Sequence, residues 1–418
     1  MINKNQIFSK NYLINYLIVL LGGSLCVSVF ISDLIIFSIL ILWFKEGSFV
    51  DKWQKIKTNK FSLSIIVFII FYIIGLIWGE INLDAWKWIS KQSLLLIIPV
   101  LLSTSIKSKY IKYSLYSFLI GMFINSIIAI GCYLRFWSIN YHHYPEEIVA
   151  IGFLDHFDHS VFLAFSALII IQNLFYETKN LRNCIIYIIL LLVFLSALFL
   201  SHGRAGQYAF VLFLGLLLIV KFYQSYIRII VSISILAAGL IIINNSSNTF
   251  NNRLNSIITE SKNFFHLLEY SSTNTSELTV TDTPMGDRLT YLINYTTLIK
   301  KNLLLGCGTG KSLKEYNNLK NKIFPNLIAR PPHNNYLFVL AEVGLVGLIL
   351  WLNIFIQLFV EIYKKNDLKP SLVLKLFIPM LFLLICLTDE YLVRHNPTLF
   401  FCFFTTLFCV NAKVNFKL

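Results

Sequence analysis

Three basic side chains lie at the ends of apolar runs or in the large polar loop between them, and their types fit the chemistry of group transfer. Arg204 lies in a short polar break between two apolar runs, Arg288 lies near the start of a polar helix, and His333 follows Pro332. Ionisable groups at such positions are costly and are therefore functional candidates. Two guanidiniums can bind a diphosphate and stabilise it as a leaving group, and an imidazole can accept a proton from an attacking hydroxyl. The three residues predict transfer from a diphosphate-linked donor, with His333 as the base.

Each of the three residues also has an ordinary explanation. Arg204 can reach lipid headgroups from a helical turn, Arg288 can pair with Asp287 on the surface, and His333 can be an interfacial residue or a helix cap. The functional interpretation depends on all three lying on one side of a membrane around one large polar loop. If His333 opens a helix, we also expect the positive end of the helix dipole to keep its imidazole neutral near pH 7.

The composition requires that these residues be positioned by membrane-spanning helices. Of the 418 residues, 57% are hydrophobic and 13% are charged, whereas a water-soluble domain has roughly 45–50% apolar and about 25% charged residues. Backbone in lipid must satisfy its own hydrogen bonds, which favours helices over open sheets. The sequence therefore predicts an all-α, polytopic integral membrane protein.

Apolar runs of suitable length predict about 12 transmembrane helices. These runs fall at about 12–30, 32–45, 61–79, 90–105, 113–137, 159–176, 183–201, 205–220, 227–243, 334–361, 370–388 and 397–412. Most basic residues fall in alternate connections, which the positive-inside rule assigns to the cytoplasm together with the N-terminus. The opposite connections carry few basic residues, chiefly Lys87, Lys91, Arg204 and Arg394. The formal charge of +14 is scattered rather than gathered into one patch, so nucleic-acid binding is excluded as the function.

The runs divide the chain into three parts. Residues 1–243 form an N-terminal transmembrane block of about nine helices, 244–333 an extracytoplasmic loop, and 334–418 a C-terminal block of about three helices. The loop is predicted to contain helices. Apolar residues recur at helical spacing between Arg253 and Tyr270, and a second helix begins at Pro284.

Two further motifs resemble known sites. The segment Gly306 to Ser312 looks like a phosphate loop, but its first glycine position is occupied by Leu305, so nucleotide binding is disfavoured. Lys311 in this segment can still contact a donor phosphate. The carboxylates and imidazoles between Asp155 and His159, with His142 and His143 upstream, have spacings compatible with zinc. A solvated or acceptor-binding turn is favoured there, so no metal site is predicted.

A family resemblance rests on several segments taken together. They are the Arg204 turn; Asp287-Arg288-Leu289 followed by the glycine-rich stretch; His333-Asn334-Asn335-Tyr336 through Gly347; and Leu387 to Pro397, which holds Asp389 and Arg394. This pattern resembles the superfamily of O-antigen ligases and O-antigen polymerases, and is closest to O-antigen ligase.

The resemblance implies roles for the residues that match the family's motifs. Arg204 and Arg288 would bind the pyrophosphate of the donor and His333 would activate the acceptor hydroxyl. Asn334, Asp389 and Arg394 would line the same cavity, although an ion pair at a helix hairpin explains Asp389 and Arg394 equally well. Glu342 is similar to an acidic position of the family, and a hydrogen-bonding role within the membrane is expected for it.

The resemblance also implies a reaction and a location. The protein would be a polyprenyl-diphosphate-dependent glycosyltransferase of the bacterial inner membrane, with its active site facing the periplasm. It would transfer a glycan from undecaprenyl diphosphate to a sugar hydroxyl of the lipid A core, with inversion and without a metal or other cofactor. A polymerase that joins lipid-linked repeat units is the close alternative. A flippase or transporter of lipid-linked glycans is the alternative from another class, although the first nine spans hold few internal charges.

Overall fold

The computed structural model describes residues 10–137, 150–176, 180–201, 203–246, 284–323, 330–364 and 371–410, together with 259 and 262. Within these ranges every regular element is a helix, which confirms the all-α class. The helices are α1 (Lys10–Ser24), α2 (Val29–Lys45), α3 (Phe49–Thr58), α4 (Lys60–Ile74), α5 (Leu83–Ser93), α6 (Ile97–Ser103), α7 (Ser108–Tyr133), α8 (His156–Tyr176), α9 (Leu181–Leu200), α10 (Arg204–Phe222), α11 (Tyr226–Ser246), α12 (Pro284–Lys301), α13 (Ser312–Ile323), α14 (Asn335–Lys364), α15 (Ser371–Ile385) and α16 (His395–Val410).

Seven helical segments are long and apolar enough to cross a membrane: Lys60–Ile77, Leu83–Ser103, Ser108–Tyr133, His156–Tyr176, Leu181–Leu200, Arg204–Phe222 and Asn335–Lys364. Three shorter apolar helices are Tyr12–Ser24, Leu372–Ile385 and His395–Val410. All twelve predicted apolar runs overlap a helix, but the number of twelve crossings and the orientation stay predictions. The run predicted at 90–105 is part of a longer unit, because α5 and α6 are joined through the 3-10 turn Leu94–Leu96.

The polar loop contains two described helices. The start of α12 at Pro284 agrees with the prediction, whereas the helix predicted from Arg253 to Tyr270 lies outside the described residues apart from two positions. The second helix, α13, was missed in the sequence. Its apolar stripe consists of little more than Leu313, Tyr316 and Leu319, too narrow to stand out from a polar segment.

Contacts between helix termini sort the described chain into two ends. At one end the start of α4 meets the end of α14, where Asn59 lies 3.4 Å from Glu361, and Lys221 donates to the carbonyl of Phe175 at the ends of α10 and α8. The starts of α8, α10, α14 and α16 lie at the other end. We call this the His333 end. The groups predicted to be extracytoplasmic therefore share one end of the bundle.

A cluster of phenylalanines fixes the helices that lead to the His333 end. Phe162 of α8 stacks on Phe400 of α16 with ring centroids 4.1 Å apart, and Phe165 of α8 meets Phe404 of α16 edge to face at 4.6 Å. Phe118 of α7 meets the same group at 4.8 Å from Phe404. All five side chains are fully buried. This packing holds the start of α8 beside the start of α16.

The turn around Arg204 is as short as the sequence predicts, because α9 ends at Leu200 and α10 begins at Arg204. The two helices do not pack mainly on each other, however, since α8 lies against both. Glycines permit this close approach. A Cβ on Gly203 would lie 2.2 Å from the Ser160 side chain, and one on Gly206 would lie 2.2 Å from the Ser160 carbonyl. The Arg204 turn is thereby held against the first turns of α8.

The glycine-rich segment that resembles a phosphate loop packs into a break in α14. At the break, Gly344 has φ +67° and ψ −165°, and Leu345 N donates to the carbonyl of Leu303 at 2.9 Å. Gly308 N donates to the carbonyl of Glu342 at 2.9 Å, and Gly310 N donates to its carboxylate at 2.6 Å. Because these N–H groups are already used inside the protein, the segment does not form a phosphate cradle.

Glu342 anchors this arrangement from within α14. Its side chain is fully buried and accepts hydrogen bonds from Gly310 N, from the Ser312 hydroxyl and, at 3.3 Å, from the Tyr72 hydroxyl. A buried carboxylate needs several donors to offset its lost hydration. The expected hydrogen-bonding role of Glu342 is confirmed.

Candidate functional site

His333 is placed by the residues that begin α14. Asn334 caps the helix, since its side-chain oxygen accepts from Tyr336 N at 2.9 Å and from Leu337 N at 3.1 Å. Its amide nitrogen donates to the Leu387 carbonyl at 3.0 Å, which ties the start of α14 to the segment after α15. His333 itself has φ +50°, a left-handed conformation that costs a non-glycine residue about 1 kcal/mol or more. Such conformations cluster at functional sites, where the surrounding contacts hold them.

A carboxylate pair faces the imidazole. His333 Nδ1 lies 3.1 Å from Asp389 Oδ1 and 3.8 Å from Glu390 Oε2. The hydrogen bond to Asp389 raises the pKa of His333 above the 6.5 of a free imidazole, against the opposing effects of burial and of Arg288. This direction is opposite to the one expected from a helix dipole, because the neighbouring carboxylates favour the protonated imidazole.

Asp389 stays ionised. Burial alone would raise its pKa, but hydrogen bonds from His333 and the charge of Arg394 outweigh burial and hold the pKa well below the usual range. An ionised carboxylate only accepts hydrogen bonds, so Nδ1 of His333 must carry the proton between them. In neutral His333 this leaves Nε2 as the lone-pair nitrogen, which is the form that a general base needs.

Arg394 connects Asp389 to the acidic residues at the start of α8. Its Nη1 donates to Asp389 Oδ2 at 3.1 Å, and its Nη2 donates to Asp155 and lies 3.8 Å from Asp158 Oδ1. Asp155 also caps α8, accepting from Phe157 N at 3.0 Å and from Asp158 N at 2.9 Å. The guanidinium thus joins the start of α8 to the partner of His333. Asp155 and Asp158, whose spacing is compatible with zinc, are therefore ion-paired with Arg394.

Arg288 approaches His333 from the loop helix α12. Its side chain is exposed, and its charge is close enough to lower the pKa of His333. Tyr291, one turn further along α12, lies with its ring centroid 5.8 Å from that of His333. The first turns of α12 therefore lie beside the imidazole, and Arg288 is positioned to meet an anion there.

Arg204 belongs to the same end but is linked to His333 through other residues. It is partly buried at the start of α10, where Gly203 packs on Ser160 of α8. Two residues before Ser160, Asp158 lies 3.8 Å from Arg394. The chain of contacts runs from the Arg204 turn through α8 and Arg394 to the histidine.

Residues 188–352 match the model of a protein family described as "O-Antigen ligase". The resemblance to the O-antigen ligase and polymerase superfamily is confirmed. The matched stretch includes Arg204, Arg288, Lys311 and His333 and ends before Asp389. No curated protein matches the chain at a significant level.

Among the residues predicted for an O-antigen ligase, the structure brings His333, Asn334, Asp389 and Arg394 together and sets Arg288 beside them. Lys311 differs. Its ammonium group lies 3.3 Å from Glu315 in the first turn of α13, so a carboxylate already engages it. A contact between Lys311 and a donor stays a prediction.

Sequence reasoning missed two groups of this candidate site. Glu390 was passed over although it follows Asp389 directly, and burial together with Asp389 raises its pKa to about 7. The second group is the pair Asp155 and Asp158, which the sequence suggested as part of a solvated or acceptor-binding turn, or as metal ligands, but not as partners of Arg394. Four residues separate Arg394 from Asp389, but more than 230 separate it from Asp155 and from Asp158, so only the tertiary structure could join these charges.

One set of described residues has the geometry to hold a metal ion. Ligand atoms of His333, Asp389 and Glu390 all lie within 4.8 Å of one another. Asp389 already accepts from His333 and Arg394, and the guanidinium charge beside it disfavours a second cation. The hydrogen-bonded pair of His333 and Asp389 is therefore the arrangement that these residues favour.

Proposed function

We propose that this protein is an O-antigen ligase that transfers a glycan from undecaprenyl diphosphate to a sugar hydroxyl of the lipid A core, at the periplasmic face of the bacterial inner membrane. The proposal is carried by the His333 and Asp389 pair at the end of the bundle where Arg288 and Arg204 also lie. The family match and the apolar helices support a membrane enzyme that handles lipid-linked glycans.

The reaction that this geometry supports is a single displacement. The acceptor oxygen bonds to the anomeric carbon of the donor sugar, and its proton passes to Nε2 of His333. The bond between that carbon and the diphosphate oxygen breaks, and undecaprenyl diphosphate leaves with the electron pair. Attack from the face opposite the leaving group inverts the anomeric centre.

Each group has a stated part in this displacement. Asp389 stabilises the imidazolium that forms when His333 takes the proton, as a carboxylate does in hydrolase triads. Arg288 and Arg204 bind the diphosphate and balance the charge that develops on it. Arg394 holds Asp389 in place and is a positioning residue rather than a contact to the reacting atoms.

The test is transfer by the purified protein in detergent, with a defined undecaprenyl-diphosphate glycan and lipid A-core. We expect His333→Ala to lose about 10²–10⁴-fold in rate, the usual contribution of a general base. A matched control is His395→Ala, because His395 also pairs with an aspartate at this end, with its Nε2 2.8 Å from Asp33. The control should keep its rate within about twofold, the scale of a surface substitution. Wild-type rate in His333→Ala would remove the mechanism.

The polymerase alternative uses the same donor site and base, and the acceptor distinguishes the two. Product on lipid A-core, with none on a second lipid-linked repeat unit, identifies a ligase, and the reverse identifies a polymerase. Conversion in detergent, without any gradient or ATP, would contradict a flippase or transporter.

A further inference from the structure

Helix α5 presents two lysines around one tryptophan. The ammonium groups of Lys87 and Lys91 lie 4.6 Å and 5.1 Å from the ring centre of Trp88. The indole is 4% exposed and packs on Phe338, with ring centroids 5.1 Å apart. Phe338 lies in the first turn of α14, just after His333. Trp88 thus fixes both lysines relative to the start of α14.

The lysines also lie near the acidic side of the His333 end. Helix α5 packs against the 3-10 turn Tyr391–Val393, which separates Glu390 from Arg394. Lys91 is partly buried and within electrostatic reach of both Glu390 and Arg394. In the described part of the chain, neither lysine forms an ion pair with a carboxylate. Their positive charge is available to a ligand.

Buried polar atoms accompany the lysines on α5. Gln92 is fully buried, and neither its amide oxygen nor its amide nitrogen has a hydrogen-bond partner among the described residues. The indole N–H of Trp88, one turn earlier on the same face, and Oε1 of Glu390 are likewise unpartnered. Buried polar groups are normally hydrogen-bonded, because leaving them unpaired loses their hydration without replacing it. These unpartnered polar atoms lie on the buried side of α5, next to the two lysines.

The position of Lys91 in the helix adds to the argument. It lies about halfway along the segment Leu83–Ser103, which is apolar and long enough to cross a membrane. A cation in such a segment is expensive and normally faces a cavity or a substrate path. Lysine is a point charge with three donors, suited to phosphate or carboxylate.

We propose that Lys87 and Lys91 form a subsite for an anionic group of a substrate, a phosphate or a carboxylate, on the α5 side of the His333 site. This inference rests on the proposed function, since it assigns a second anion-binding element to the same site. Arg288 approaches His333 from α12, whereas the lysines approach Glu390 from α5. The anion is either the diphosphate of the donor or a charged substituent on the acceptor sugar.

The experiment measures kcat and KM for donor and acceptor separately with the full-length protein in detergent. We expect Lys91→Gln and Lys87→Gln each to raise the KM of one substrate about tenfold, equal to about 1.4 kcal/mol, with kcat changed less than about threefold. Lys91→Arg keeps the charge and should restore most of the affinity. Lys109→Gln is the matched control, because Lys109 also lies over an aromatic ring, 4.8 Å from the centre of Tyr110, but in a connection predicted to be cytoplasmic.

The substrate whose KM rises identifies the source of the anion. If it is the acceptor, removing the acceptor's charged substituents should cost the wild type as much as Lys91→Gln does, and the two changes should not add. Unchanged KM values for both substrates in the double variant would overturn the inference. So would an effect confined to membrane insertion, which would mean that the lysines contact lipid headgroups only.

The two proposals fail in different ways. Absence of transfer by the wild type with either acceptor would overturn the proposed function, and the subsite with it. Transfer by the wild type, loss in His333→Ala and normal kinetics in Lys87→Gln and Lys91→Gln would overturn the subsite alone.

Discussion

Replacement of Asp389 by asparagine is the most informative perturbation of the proposed site. The amide keeps the shape of the carboxylate but removes the charge that faces His333 Nδ1 at 3.1 Å. Hydrogen bonds to charged groups contribute about 1.5–3 kcal/mol. The imidazole is 37% exposed, so solvent screening favours the lower half of that range. We therefore expect kcat/KM to fall at least about tenfold near neutral pH, since about 1.4 kcal/mol of transition-state stabilisation is a factor of ten.

The pH dependence gives a second, independent readout. The base must be deprotonated, and the hydrogen bond to Asp389 raises the pKa of His333. The wild type should therefore lose activity as the pH falls through a value above 6.5, where His333 gains its proton. Asp389→Asn lowers this pKa, so its acidic limb should move to lower pH. The decrease in kcat/KM caused by Asp389→Asn should therefore be smaller at acidic pH than at high pH.

The assay is the pH profile of kcat/KM for transfer in detergent, with Asp155→Asn as the control. Asp155 is the other main acceptor for Arg394 and does not touch His333, so its variant should leave the acidic limb in place. An unchanged acidic limb in Asp389→Asn, or an equal shift in both variants, would refute the assignment of Asp389 as the partner of the base.

Two further predictions concern the scaffold. Gly206→Ala should lower the thermal midpoint of the purified protein and reduce transfer, because the new methyl group would lie 2.2 Å from the Ser160 carbonyl and overpacking costs about 1–3 kcal/mol. Gly215→Ala, whose nearest neighbour would be a Leu236 methyl at 3.7 Å, should leave the midpoint unchanged; equal midpoints would contradict the packing argument. Glu342→Ala should lower the thermal midpoint more than Tyr72→Phe. Glu342→Ala leaves three hydrogen-bond donors without an acceptor, at about 1–3 kcal/mol each, whereas Tyr72→Phe removes one hydrogen bond of 3.3 Å. Differential scanning fluorimetry measures both, and a larger effect of Tyr72→Phe would show that Glu342 does not anchor the glycine-rich segment.

The sequence by itself determined the helical membrane class and the chemical types at the site. Its apolar runs are too long and too poor in charge for a soluble core, so the positions of helices could be predicted closely. Arg204 and His333 could be selected because an ionisable group beside an apolar run is costly whatever its neighbours are, and Arg288 because it lies in the large polar loop on the same predicted side. The start of α12 was predictable too, since Pro284 is a local signal that depends on no tertiary contact.

Only the tertiary structure decided which charges meet. Asp155 and Arg394 lie more than 230 residues apart, and their ion pair exists because phenylalanines hold α8 against α16. The tertiary structure also packs the glycine-rich segment into the break at Gly344. It places Asp389 within hydrogen-bonding distance of the His333 imidazole. Periodicity records which face of a helix is apolar, but not which distant helix covers it. The direction of the pKa shift of His333 therefore depends on contacts that no local pattern encodes.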